Sequence, residues 1–357
     1  MPDPRARLLA AAAAAAAAAL LAASCGGTTR PAGTGLPVPG AGRGPAAAPA
    51  PVTLAFGGDV HFEGVLAAQL EQDPQSALEP VAALLRGADL AMVNLETAIT
   101  ERGTAADKEF TFRAPPAAFA ALKAAGVDVV TMANNHGMDY GVQGLRDSLD
   151  AAHAARFPVV GAGLDAERAF APYHLEVRGL RVAVLGATQV LDDALAAAWT
   201  AGDGKPGLAS ARDEERLTAA VRAARRGADT VVVFLHWGSE GVACPTGGQR
   251  DLARALVAAG ADVIVGSHAH VLLGGGGLDG AYVDYGLGNL VFSSLPGPGS
   301  RTGVLELAVR GRDVLRARWR PAEISGGLPH PLSGGARQAA AAAWEGLRPC
   351  TGLTGRG

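Results

Sequence analysis

An α/β fold built around a mixed sheet is what this chain predicts, and three observations predict it. Short runs rich in β-branched residues alternate with segments of helical period through most of the sequence. Those runs are closed by Gly, Asp, Asn and His, so polar groups gather at strand ends. Late in the chain the runs follow one another directly across glycine turns, which marks antiparallel pairing.

The elements follow in order. Val52-Thr53-Leu54-Ala55-Phe56 reads as a first strand, closed by Gly57-Gly58. A helix is expected over 81–85 and a strand at Leu90-Ala91-Met92-Val93. Residues 116–125 read as a helix that leads into a strand at Val127-Asp128-Val129-Val130. Val142, Leu145 and Leu149 recur at helical spacing after it. Strands are expected over 180–185 and 230–235, with a charged amphipathic helix over 213–226 between them. A helix over 249–259 and a strand over 262–265 come next. Tyr282-Val283-Asp284-Tyr285 and runs over 304–309 and 315–319 form the antiparallel series. From Ser325 the chain is rich in proline and glycine with one short alanine-rich helix, and residues 323–357 are read as a peripheral tail. The folded domain is expected over 52–322.

The chain has 357 residues, 49% of them hydrophobic and 18% charged, enough for a substantial core. A net charge of -3 and the lack of a basic run argue against nucleic-acid binding. Arg5 and Arg7, an apolar run over 8–23 and Ser24-Cys25-Gly26 follow the order of an export signal. Leu20-Leu21-Ala22-Ala23-Ser24-Cys25 resembles a bacterial lipoprotein signal, which implies lipidation of Cys25 and a membrane anchor. Soluble secretion and an uncleaved membrane anchor are the alternatives. Residues 26–51 are Gly, Pro, Ala and Thr in the main, a composition that cannot bury a core and so reads as a tether. The other cysteines, Cys244 and Cys350, either pair or stay as separate thiols.

Five of the eight histidines fall where strands are expected to end. They stand in Gly58-Asp59-Val60-His61, Asn134-Asn135-His136, His236-Trp237-Gly238-Ser239-Glu240 and Gly266-Ser267-His268-Ala269-His270, with Asn94-Leu95-Glu96 closing a further strand. Residues i and i+2 of an extended segment point the same way, so Asp59 and His61 are expected to project together, as are His268 and His270. Packing alone does not explain such a set. Donors from Asp, Glu, Asn and His without cysteine suit divalent ions such as Mn²⁺, Fe²⁺ or Zn²⁺. Asp59, His61, Glu96, Asn135, His236, His268 and His270 are too many for one catalytic ion with an open position, and suit two ions.

The order Asp-x-His, acidic bridge, Asn-His, single His and Gly-x-His-x-His resembles the calcineurin-like metallophosphoesterase superfamily. The wording Asn-Leu-Glu, Ala-Asn-Asn-His-Gly-Met-Asp-Tyr-Gly, His-Trp-Gly-Ser-Glu and Tyr-Gly-Leu-Gly-Asn-Leu-Val-Phe resembles its poly-γ-glutamate capsule-biosynthesis (CapA-type) branch. That resemblance implies two mixed sheets flanked by helices in four layers, α/β/β/α. It implies a first ion on Asp59, His61 and His270, a second on Asn135, His236 and His268, and Glu96 bridging them. Two such ions activate water and clamp a phosphoryl group for in-line attack, so phosphoester hydrolysis is the expected chemistry. His136 is the candidate acid for the leaving oxygen. Asp139 either orients that imidazole or caps the helix after it. Arg113 either clamps an anionic substrate or is solvated, and Asn134 and Asn289 are candidates to orient ligands or substrate. The alternative function is non-hydrolytic: an accessory that grips anionic polymer beside membrane synthase or export subunits.

Overall fold

The computed structural model describes residues 50–293 and 297–355. The expected signal over 1–25, with Cys25, and nearly all of the tether lie outside the described residues.

Two sheets carry the fold. The larger orders its strands as Leu328–Pro331, Asp313–Ser325, Arg301–Arg310, Val52–Val60, Leu90–Leu95, Val129–Thr131 and Val159–Val160, with Asn289–Val291 also on Val52–Val60. Val52–Val60 runs parallel to Leu90–Leu95 and Asn289–Val291 but antiparallel to Arg301–Arg310, so the sheet is mixed. The smaller orders Gly275–Leu278, Ala281–Asp284, Val263–Ser267, Thr230–His236, Leu180–Thr188 and Tyr173–Val177. Its centre is parallel and its outer pairs are antiparallel.

Alternation along each strand builds the layers. Val232 and Phe234 point into an apolar cluster shared with Leu54, Phe56, Met92 and Val129 of the larger sheet. Val231, Val233 and Leu235 point the other way, onto Leu217, Val221, Leu252 and Leu256 of the helices Glu214–Arg225 and Gly247–Ala259. The larger sheet turns its outer face to Val81, Leu84, Phe119, Leu122 and Leu145 of three further helices. The result is the four-layer α/β/β/α sandwich expected above. Strands buried on both faces read as unbroken apolar runs, which is why they stood out in the sequence.

Helix starts are chemically specified. The Asp213 side chain accepts from Arg216 N, and Thr246 and Gln249 form a capping box. The first strand runs further than expected, through Gly57 and Gly58 to Val60. A Cβ on Gly58 would lie 1.8 Å from the Gly288 carbonyl oxygen, so only glycine lets the two segments approach. Asp59 N donates to that oxygen at 3.0 Å, which seats Asp59 beside Asn289.

Residues 323–355 do not form a peripheral tail. Asp313–Ser325 extends past residue 322 and pairs with Leu328–Pro331, which makes Leu328–Pro331 the edge strand of the larger sheet. The helix Gly334–Glu345 buries Trp344 in a stack on Trp319, with ring centroids 5.3 Å apart. Thr354 then bridges to Gly277 of the smaller sheet. Cys350 is disulfide-bonded to Cys244, which resolves the alternatives left open for the two thiols. A composition rich in Pro, Gly and Ala concealed this, because two large side chains and one thiol do the tying. Among the described residues no helix is long and apolar enough to cross a membrane.

Candidate metal centre

Parallel neighbours bring the strand ends to one rim. Asp59 registers with Asn94 on one side and Asn289 on the other. His236 registers with Ser267 in the second sheet, one residue before His268. Polar groups from both sheets therefore meet at their carboxyl ends, where α/β folds bind ligands.

Three groups of side chains bring one donor atom per residue within 4.8 Å of one another: Glu96, His236 and His268; Asp59, Glu96 and His270; Glu240, His268 and His270. The first two share Glu96, the residue expected to bridge. Asn135 Oδ1 lies 2.7 Å from His236 Nε2, which puts the amide in the first group. Glu96 Oε1 is 3.3 Å from the same nitrogen. Neighbouring polar groups orient the donors. Asn94 Nδ2 donates to Asp59 Oδ1 at 2.8 Å, and Ser267 Oγ is 3.1 Å from His236 Nδ1. Asn289 Oδ1 is 2.8 Å from His270 Nδ1.

His61 belongs to none of the three groups. The pairing of the first strand with Asn289–Val291 shifts register between Asp59 and Val60, just before it. Its Nε2 accepts the Ser293 N–H at 2.7 Å, its ring stacks on Phe292 at 4.0 Å, and its Nδ1 is buried without a partner. His268 and His270 do converge, but not by alternation. Their φ values are 103° and 54°, a left-handed backbone that non-glycine residues rarely adopt and that concentrates at functional sites.

The electrostatics fit a bound cation. Both Glu96 oxygens are buried and hydrogen-bond to nothing in the protein, as does His268 Nδ1. Burial and the Asp59 charge push the Glu96 carboxyl up to about 8. Burial pushes the His236 imidazole down to about 3, and burial with the neighbouring imidazoles pushes His268 to about 2, so both offer lone pairs at neutral pH. Burial alone would raise the Asp59 carboxyl, but the His270 hydrogen bond and charge hold it below its usual range. Burial opposes charge on His270, yet Glu96 and Asp59 raise it to about 10. Buried carboxylates this poorly matched by protein donors are what a divalent cation neutralises.

A second assembly adjoins the first. His136 Nδ1 donates to Asp139 Oδ2 at 2.6 Å, and the ring stacks on Phe112 at 4.0 Å. Asp139 is fully buried and also accepts the Phe112 N–H at 2.6 Å. Tyr140, not Asp139, stands at the helix start, so the carboxylate orients the imidazole and does not cap. Lys108 lies 3.2 Å from Asp139 Oδ1 and donates to the Asn135 carbonyl at 2.6 Å. Asn134 is fully buried; its amide holds Asn94 Oδ1 and the Leu95 carbonyl, and its oxygen accepts the His136 N–H. It positions the turn and has no surface for substrate. Arg113 is exposed, with its guanidinium 5.1 Å over the Tyr140 ring.

Two residues escaped the sequence reading. Glu240 ends the run His-Trp-Gly-Ser-Glu, where the histidine alone matches a ligand pattern. Lys108 stands in Asp107-Lys108-Glu109, which reads as a solvated charge run. No local pattern told that its side chain is nine-tenths buried.

These layers and this rim define a four-layer α/β sandwich with a candidate metal centre at its strand ends. Residues 53–294 match the family model described as bacterial capsule synthesis protein PGA_cap, and the chain belongs to that family. The PGA biosynthesis protein CapA of Bacillus subtilis (strain 168) is 32% identical over 287 residues, covering 79% of this chain and 74% of that one. The capsule biosynthesis protein CapA of Bacillus anthracis is 34% identical over 231 residues, covering 64% of this chain and 55% of that one. Among solved structures, the Thermus thermophilus sulfate thiohydrolase SoxB in complex with glycerol aligns over 80% of this chain and 47% of that one, at 19% identity and a TM-score of 0.41.

Proposed function

We propose that this chain is an exported, lipid-anchored, metal-dependent phosphohydrolase acting in poly-γ-glutamate capsule synthesis. One observation carries the hydrolase reading: Glu96, buried and with no hydrogen bond to the protein at either oxygen, is common to two groups of metal donors. Asp59 and His270 would complete one ion's set and His236, His268 and Asn135 the other's. Two bound divalent ions would supply Lewis acidity toward a phosphoryl oxygen and a more acidic water.

The chain's own groups do the rest. Asp139 fixes the His136 tautomer by accepting from Nδ1, which leaves Nε2 to carry a proton to a leaving oxygen. Lys108 and the Phe112 N–H hold Asp139 from its other sides. Phe112 and Phe292 lay apolar rings against His136 and His61, limiting water at the site.

Export rests on the charge and apolar pattern before Cys25, and the Cys244–Cys350 bridge supports it, since such bonds persist in oxidising compartments. Membrane synthase or export subunits are the expected partners, in keeping with relatives titled for PGA and capsule biosynthesis.

The test offers chromogenic phosphate mono- and diesters to the Mn²⁺-loaded protein and to a His268→Ala variant, with metal content measured in both. Turnover that the variant lacks supports hydrolysis. No rate above the variant on any ester refutes it and favours the second reading, in which the domain grips anionic polymer. The exposed Arg113 guanidinium is the feature that favours that reading.

A further inference from the structure

We infer that Glu240 is a further carboxylate donor of the metal centre, taking a divalent cation together with His268 and His270 from the solvent side. This rests on the metal reading above and extends it to a residue that neither the resemblance nor the family match places in the site.

The geometry is specific. A Glu240 carboxylate oxygen lies within 4.8 Å of donor atoms of both imidazoles. One of them, His268, also belongs with Glu96 and His236, and the other, His270, with Glu96 and Asp59. Glu240 therefore spans both positions. Glu96 does the same from beneath, where it is fully buried, whereas Glu240 is exposed.

The backbone holds Glu240 there. Trp237 N donates to Ser267 O at 3.1 Å and Gly241 N donates to Ala269 O at 2.9 Å, so the segment carrying Glu240 is laced to the loop carrying both histidines. The Trp237 indole is buried, stacks on Tyr285 and donates to its carbonyl at 2.9 Å, which pins the start of that segment. His268 Nδ1 is an independent sign of a missing partner: it is buried and hydrogen-bonds to nothing in the protein. Charge agrees. Asp59 and Glu96 supply two negative charges against the four positive charges of two divalent ions, and Glu240 supplies a third.

The test is calorimetric titration of the chelator-stripped full chain with Mn²⁺, comparing wild type with Glu240→Gln. The exchange is isosteric at an exposed position, so melting of the metal-free variant should match wild type and exclude misfolding. The expected result is loss of one equivalent of Mn²⁺, or weakening of a site by about tenfold or more. Unchanged stoichiometry and affinity in Glu240→Gln would overturn the assignment while leaving the metal reading intact. A wild type that takes up no Mn²⁺ would overturn both.

Discussion

Changing Cys244 and Cys350 together to serine removes the one covalent tie between the Glu240 segment and the end of the described chain. The two cysteines are 106 residues apart in sequence. Cutting the bridge releases a loop of that length in the unfolded state. The chain-entropy relation then gives a loss of about 4.7 kcal/mol at 25 °C. For a domain this large, each kcal/mol moves Tm by roughly 2 °C, so the melt should fall by about 10 °C. Scanning calorimetry of the double variant, and of wild type with and without reductant, measures it. Thiol titration of the unfolded, unreduced protein fixes the bridge's presence independently. A bridge present by thiol count with Tm unchanged to within a degree would refute the reasoning. The unfolded chain would then be constrained by something other than this link.

Other outcomes follow from the same geometry. His136→Ala should abolish ester turnover with bound metal unchanged, since the imidazole contacts Asp139 and belongs to no donor group; elemental analysis beside the assay separates the two. Lys108→Met should lower kcat by about tenfold or more at unchanged metal content, because Asp139 loses its buried cation. Burial raises the Asp284 carboxyl from 3.8 to about 7, so the folded state favours the neutral acid. That preference is full below pH 4 and is lost as pH rises through 7. Urea unfolding should show wild type losing up to roughly 4 kcal/mol across that window, a loss that Asp284→Asn escapes. Trp344→Ala should cost about 3–5 kcal/mol by urea unfolding, because the ring is buried on Trp319. Cys25→Ala should move the protein from the membrane fraction to the soluble one on cell fractionation.

Much of the fold was legible before any coordinates. Runs such as Thr230-Val231-Val232-Val233-Phe234-Leu235 are strands by composition, and their burial on both faces follows from having no polar alternate. The helix start at Asp213 is written in its capping residue, whereas Thr246 opens the next helix ahead of the expected 249. The donor types were legible too, because Asp, Glu, Asn and His at the ends of apolar runs are costly unless something binds them.

Tertiary structure decided which donors meet. Local periodicity carries two bits of geometry, the strand repeat and the helix repeat, and the site obeys neither. His61 stays outside the donor groups that Asp59 joins, and left-handed backbone at His268 and His270 departs from the strand repeat. Glu240 joins them only because two backbone hydrogen bonds lace its segment to theirs. Lys108 reaches Asp139 across 31 positions of sequence, and Cys350 reaches Cys244 across 106. The sequence by itself determined the layers and the chemistry of the rim, since both depend on residue type and near neighbours. Only the folded chain decided the contacts across long loops, because no local interaction encodes where two distant segments come to rest.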